Sequence, residues 1–155
     1  MVLNQNLAGG YDRIEHVFKN QSITFWLFFL AFIAFANAFY GDLTYYTEWR
    51  SNYGSCGLDR SKTDRFYVAA LSRARMALPP SITNPNKHPL CAWNRCIKVT
   101  GKRGSVVLKI SDTCWACAYN DVDVADTVFP LLDDPAKGRV KINWEFTDCS
   151  RIGKL

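Results

Sequence analysis

Histidine is almost absent from this chain. His16 and His88 are the only two in 155 residues, and only His88 follows the long apolar run near the N-terminus. No serine–histidine–acid pattern can be assembled, which excludes the usual acyl-transfer triad. Cys114-Trp115-Ala116-Cys117 also lacks the second close cysteine–histidine pair that would complete a zinc site. A glycine-rich phosphate loop is missing, and so is a basic stripe interleaved with aromatics, so neither nucleotide nor nucleic-acid binding has a basis. There is no tandem repeat and no low-complexity segment. The expectation is a chain with no metal and no cofactor. An apolar run of full membrane-spanning length is missing too. Ile23 to Ala38, ITFWLFFLAFIAFANA, carries no charge but falls short of the roughly 20 residues a spanning helix needs.

That run ends in Ala36-Asn37-Ala38 ahead of Phe39, an A-x-A cleavage pattern, so residues 1–38 read as a signal peptide. An uncleaved anchor is the alternative. The stretch before the run, Met1 to Gln21, is long, and its Arg13 and Lys19 are offset by Asp12 and Glu15. Cysteine is what the rest of the chain has in quantity. Cys56, Cys91, Cys96, Cys114, Cys117 and Cys149 all lie beyond Ala38. An even set confined to the exported part points to three disulfides and a secreted, oxidising address. Spacing does not choose the pairing. The net charge of +5 suits anionic wall polymers but serves solubility first.

Residues 39–155 form one domain dominated by short strands. Gly41 to Thr47 reads as a strand in which one of Tyr45 and Tyr46 faces in and the other out. Glu48 to Arg60 is a loop pinned by a disulfide. Phe66 to Leu71 is a second strand, and Arg73 to Pro89, with Pro79, Pro80, Pro85 and Pro89, is a long loop. Cys96 to Thr100 and Ser105 to Ile110 flank Gly101-Lys102-Arg103-Gly104 as a hairpin. Val106 to Ile110 has the composition of a strand buried on both faces. Asp112 to Cys117 follows as a polar loop, and Ala125 to Leu132 is a short helix candidate. Val140, Ile142, Trp144 and Phe146 alternate with Lys141, Asn143 and Glu145, the cleanest period-two strand, with Trp144 in the core. Such a set of strands protects its edges by closing into a barrel.

In this order the residues resemble the expansins and their single-domain relatives. The signs are Thr44-Tyr45-Tyr46 after a glycine, Ser55-Cys56-Gly57, Tyr67 to Ser72, and Cys91 followed by Cys96-Ile97-Lys98-Val99. Val106 to Phe129 and Gly138-Arg139-Val140 with Trp144-Glu145-Phe146 complete the set. The resemblance covers about Asp42 to Cys149. It implies a mainly β fold, a six-stranded double-psi β-barrel with one or two short helices, stabilised by disulfides, carrying a carbohydrate-facing groove. Related barrels loosen cellulosic walls, hydrolyse glucans with two acids, cleave peptidoglycan, serve as barwin-like defence proteins or inhibit proteases, so fold alone does not choose.

Asp123, within Asp121-Val122-Asp123-Val124-Ala125, stands where the family carries its groove aspartate, the general acid of its hydrolytic members. Read without the resemblance, Asp123 would cap the helix after it. An inverting glycosidase also needs a base, roughly 6.5–9.5 Å from the acid. Glu48 lies near the position of that base in the endoglucanases, but Trp49-Arg50 follows it where they have a cysteine pair. A solvated loop glutamate is the plainer reading. Asp112 fits the family's aspartate before the first cysteine of the pair, lining the groove or binding backbone amides of the cysteine loop. Asp126 belongs on an exposed helix face. Thr44 and Tyr46 are the further substrate-binding candidates, and Tyr46, Trp49, Trp93 and Trp115 are candidate platforms for sugar rings. Trp115-Ala116 replaces the family's common Pro-Gly, which makes Trp115, held between bridged cysteines, a rigid and exposed ring or a cover for the barrel end.

The function expected is non-hydrolytic loosening of cell-wall polysaccharide by a secreted monomer, with cellulose, chitin or peptidoglycan as the polymer. A glycan-cleaving enzyme using Asp123 with Glu48 is one alternative. An inhibitor of a secreted protease is the other, acting through the braced loop Cys91 to Cys96 or through Asp112 to Cys117.

Overall fold

The computed structural model describes residues 38–48, 53–58 and 67–155. The signal-peptide expectation for residues 1–38 falls outside them apart from Ala38, as does Trp49. From Ala38 onward the chain forms one compact unit. Its strands are β1 (Phe39–Tyr46), β2 (Val68–Ser72), β3 (Cys96–Gly101), β4 (Gly104–Cys114), β5 (Val122–Ala125), β6 (Val140–Thr147) and β7 (Gly153–Lys154), with one α-helical turn among the described residues, α1 (Phe129–Leu132), and 3-10 turns at Pro85–Lys87, Pro89–Cys91 and Pro135–Lys137.

Hydrogen bonding runs β2-β5-β1-β6-β3-β4, and β4 pairs back to β2, so six strands close on themselves. Two pairings are parallel, β1 with β5 and β2 with β4, and the others in the ring are antiparallel. Closure leaves no open edge in the ring. β7 adds to the first half of β4 through Val106 and Val107. This is the six-stranded barrel that the resemblance implies.

β4 is its central strand. Every residue from Val106 to Ser111 is buried, as an apolar run flanked on both faces requires. β6 follows its period-two pattern, with Ile142 and Trp144 buried and Lys141 and Asn143 exposed. Leu43, Leu71, Ile97, Leu108, Val124 and Phe129 complete a single core with them. Phe39, Trp144 and Phe146 pack tilted and edge-on against one another, with 4.5–5.7 Å between ring centres. All six cysteines are bridged, as Cys56–Cys91, Cys96–Cys149 and Cys114–Cys117. That removes both the zinc and the dithiol readings of Cys114-x-x-Cys117.

Three expectations are corrected. Asp112 to Cys114 is not loop. β4 runs on through Cys114 because β2 lies parallel beside it and pairs Ala70, Leu71 and Ser72 with Asp112, Thr113 and Cys114, after a register shift between Ala69 and Ala70. The helix expected from Ala125 to Leu132 is only Phe129–Leu132. Val122 to Ala125 is captured as β5 between β1 and β2, whose backbone groups take its amides and carbonyls. Asp126 therefore sits in the turn after β5, its Oδ1 accepting the Thr127 N–H at 2.9 Å, and not on a helix face.

Gly41 shows how closely the loop before β5 crosses β1. A Cβ there would stand 2.1 Å from the Asn120 carbonyl oxygen and 2.6 Å from its carbon. The same crossing is held by Asp121. Its Oδ1 accepts the Asp42 N–H at 2.9 Å and its Oδ2 the Ala118 N–H at 3.0 Å. Gly41→Ala is expected to lower the unfolding free energy by about 2 kcal/mol, the scale of overpacking against rigid neighbours. Urea unfolding of the variant, unchanged from wild type, would contradict this crossing.

Candidate functional site

The barrel lines up residues that sequence separates by dozens of positions. Thr44 on β1 pairs with Asp123 on β5, Asp123 with Ala70 on β2, and Ala70 with Asp112 on β4. Directly opposed residues on neighbouring strands point to the same face of a sheet. The result is a row, Thr44–Asp123–Ala70–Asp112, across four adjacent strands. A one-carbon side chain separates two carboxylates whose Cα atoms lie about 10 Å apart, two strand spacings.

Asp123 is the half-buried centre of the row. Thr44 Oγ1 donates to its Oδ1 at 2.7 Å. Burial pushes its carboxyl above the ordinary aspartate range. The Thr44 bond and the Arg139 charge oppose that push, while the charges of Glu48 and Asp112 add to it. Its Oδ2 has no hydrogen-bond partner among the described residues. The capping role is absent, because the residue before α1 is Val128 and no side chain caps that turn.

The other expected residues are distributed around this centre. Asp112 Oδ1 accepts the N–H groups of Ser55 at 2.9 Å and Thr113 at 2.8 Å, which ties the Cys56 segment to β4. Glu48 lies two residues past the end of β1 and is exposed. Its Oε2 accepts the Thr47 N–H at 3.1 Å, and its charge reaches Asp123. Tyr46 shares the Thr44 face of β1 and is half-buried against the core, whereas Tyr45 faces out and meets Phe129 edge-on at 5.0 Å. One tyrosine in and one out is the alternation expected. Among the described residues no cluster of histidine, cysteine or acidic side chains is arranged to hold a metal.

Trp115 is 73% exposed, clamped between Cys114 and Cys117, with the Arg73 guanidinium 4.7 Å above its ring. It stands at a cavity of about 660 Å³ lined by Arg73, Met76, Leu78, Pro85, Ser55 and others. Ser55 joins this cavity to the row, because Asp112 accepts its N–H.

A second surface lies at the start of β3. Ala92, Trp93, Asn94 and Arg95 form an exposed loop between Cys91, bridged to Cys56, and Cys96, bridged to Cys149. Trp93 at its tip is 84% exposed. Beneath it the buried Lys109 of β4 donates from Nζ to the carbonyls of Ala92 at 2.6 Å, Arg95 at 3.0 Å and Cys91 at 3.5 Å. Desolvation lowers the Lys109 pKa to about 8. A base whose folded value lies below its unfolded one, near 10.5, gives the fold stability present above that range. That stability is lost as pH falls from about 10.5 to about 8. Wild-type stability is therefore expected to rise over that window relative to Lys109→Met, as read by urea unfolding at each pH. A parallel pH dependence in the two proteins would contradict the buried ammonium.

No family model matches this chain, and no curated protein matches it in sequence. Solved structures do match. A Streptomyces papain inhibitor superposes with a TM-score of 0.59 and 28% identity, over 72% of this chain and 96% of its own. A mutant Clavibacter michiganensis expansin in complex with cellohexaose superposes with a TM-score of 0.56 and 22% identity, over 71% of this chain and 50% of its own. The apo form of that expansin gives 0.56 and 23% over the same shares. The fold is the expansin-like, barwin-like double-psi β-barrel. This barrel spans half the length of the expansin chains and nearly all of the inhibitor.

Two features of this double-psi barrel escaped the sequence reading. Lys109 carried a signal, being the one cation inside a run read as buried on both faces. Arg73 carried none, since an arginine after a strand in a proline-rich loop is an ordinary solvated residue.

Proposed function

We propose that this protein is secreted and binds cell-wall polysaccharide along the Thr44–Asp123–Ala70–Asp112 row, loosening contacts between chains without cutting them. The observation that carries this reading is the Asp123 carboxyl, half-buried, anchored by Thr44 through one oxygen and without a hydrogen-bond partner at the other among the described residues. A fixed acceptor of that kind suits sugar hydroxyls. The cellohexaose in the mutant expansin complex supports a glycan ligand for a barrel of this fold. Three disulfides support an oxidising, extracellular address.

The test is sedimentation of the disulfide-bonded protein with cellulose, chitin and peptidoglycan, with reducing sugars assayed in the same tubes. Binding without released sugar is the expected result, and the polymer retained identifies the target. Released sugar that disappears in both Asp123→Asn and Glu48→Gln would replace loosening by an acid-and-base hydrolysis.

The Cys91–Cys96 loop favours a second reading, a protease inhibitor. It is exposed, braced by a disulfide at each end and by Lys109 beneath, and presents one exposed tryptophan. Preorganised loops lose little entropy on entering a cleft. Support also comes from the papain inhibitor, which aligns over nearly its whole length. Inhibition of papain that is abolished by Trp93→Ala, with no polymer bound, would put this reading first.

A further inference from the structure

The cavity beside Trp115 carries a charge that the polysaccharide row does not use. Arg73 follows the last residue of β2, and its backbone N–H donates to the Cys114 carbonyl at 3.0 Å, so its side chain starts from a fixed point beside the Cys114–Cys117 ring. The indole of Trp115 then holds the guanidinium from one face. The Arg73 side-chain N–H groups make no hydrogen bond to another described residue, and the fork they form matches the two oxygens of a carboxylate. Lys98, Lys137, Arg139 and Lys141 each have a carboxylate within 4 Å, whereas no described carboxylate pairs with Arg73. The walls below it are apolar, from Met76, Leu78 and Pro85, and one edge carries the hydrogen-bonded hydroxyls of Ser55 and Thr113.

We infer that this cavity is a subsite for a carboxylate-bearing sugar, a uronic acid residue gripped by Arg73 with its C–H face against the apolar wall. The inference rests on the polysaccharide reading and names the class of polymer. Its neighbour, the row, narrows the class further. Asp112, which accepts the Ser55 N–H at the cavity edge, and Asp123 and Glu48, whose charges act together with it, make the row negative, so a polymer with a carboxylate on every unit is repelled along it. The ligand that satisfies both regions is a mostly neutral polysaccharide with isolated uronic acid residues, the acid at Arg73 and a neutral unit at Asp123.

The test is affinity electrophoresis or calorimetry on the full disulfide-bonded protein with three probes. These are a glucuronoxylan, the same polymer with its carboxyls reduced to primary alcohols, and polygalacturonate. Wild type is expected to bind the glucuronoxylan about tenfold more tightly than its reduced form, the scale of one charge-assisted pair at a half-exposed site. Arg73→Gln is expected to erase that difference while leaving binding of the reduced polymer and the melting temperature unchanged. Arg73→Lys, which keeps the charge and loses the fork, should retain part of it. Equal binding of the native and reduced polymers by wild type overturns the carboxylate subsite and leaves the polysaccharide reading standing. Tighter binding of polygalacturonate than of glucuronoxylan overturns the isolated-acid class. Failure to bind these probes, cellulose, chitin or peptidoglycan overturns the subsite together with the reading beneath it.

Discussion

Asp123→Asn is expected to lose at least tenfold in polysaccharide affinity and to melt at a higher temperature than wild type. The two effects have one cause. Asparagine keeps an oxygen to accept the Thr44 hydroxyl, so the anchoring bond at 2.7 Å survives. What disappears is a negative charge whose hydrogen bonds to sugar hydroxyls are stronger than those of a neutral amide. That charge is costly to the fold. Burial lifts the Asp123 carboxyl above its ordinary value, so the folded protein holds the proton more tightly than the unfolded chain does. A raised folded value contributes stability at pH below the unfolded value, and that contribution is lost as pH rises through the folded one. Above the folded value the full cost of the ionised group remains. The gap in melting temperature between Asp123→Asn and wild type should therefore widen as pH rises from below 3.8 and then level off. A variant that loses both binding and stability would show that Asp123 serves the fold, and the row would lose its centre.

Removing the Cys96–Cys149 bridge, as the double serine variant, is expected to cost about 4 kcal/mol, a large share of the roughly 5–15 kcal/mol that holds a domain of this size. The bridge joins the first residue of β3 to the segment just past β6, across a separation of 53 residues that contains the hairpin, β5, α1 and β6. Its main effect is to shrink the unfolded ensemble, and long loops have the most entropy to lose. Cys114–Cys117 closes a separation of only 3 residues and is expected to contribute about 2 kcal/mol by the same argument. Guanidinium unfolding of the two double variants measures the difference directly. Equal costs would mean that the β3–β6 pairing, Cys96 opposite Thr147, already holds these ends together in the unfolded state.

Legibility in the sequence followed the range of the physics. β6 and the β3–β4 hairpin were readable because alternation and a two-residue turn are local properties of a strand and its neighbour. The end of β4 and the start of α1 were not. Asp112 to Cys114 and Val122 to Ala125 are polar or mixed segments that become strand through non-local partners, β1 flanking the second on its other side and β2 lying between the two and pairing with both. The same strand decided the site. The resemblance had already set Asp123 in a groove, and only without it would Asp123 have been a helix cap, while Asp112 was open between groove and cysteine loop; β2 sets the two on either side of Ala70.

By itself, then, the sequence determined that this chain carries a disulfide-stabilised, mostly β domain with one tryptophan-centred core. Apolar periodicity and an even count of cysteines beyond a signal-like segment are written along the chain. Tertiary structure alone decided which cysteines pair, that Asp123 answers Thr44, that Lys109 grips the Trp93 loop, and that Arg73 stands over Trp115. Each of these joins residues brought together by barrel closure or by a turn whose geometry depends on it, and no local propensity encodes a partner that only closure supplies.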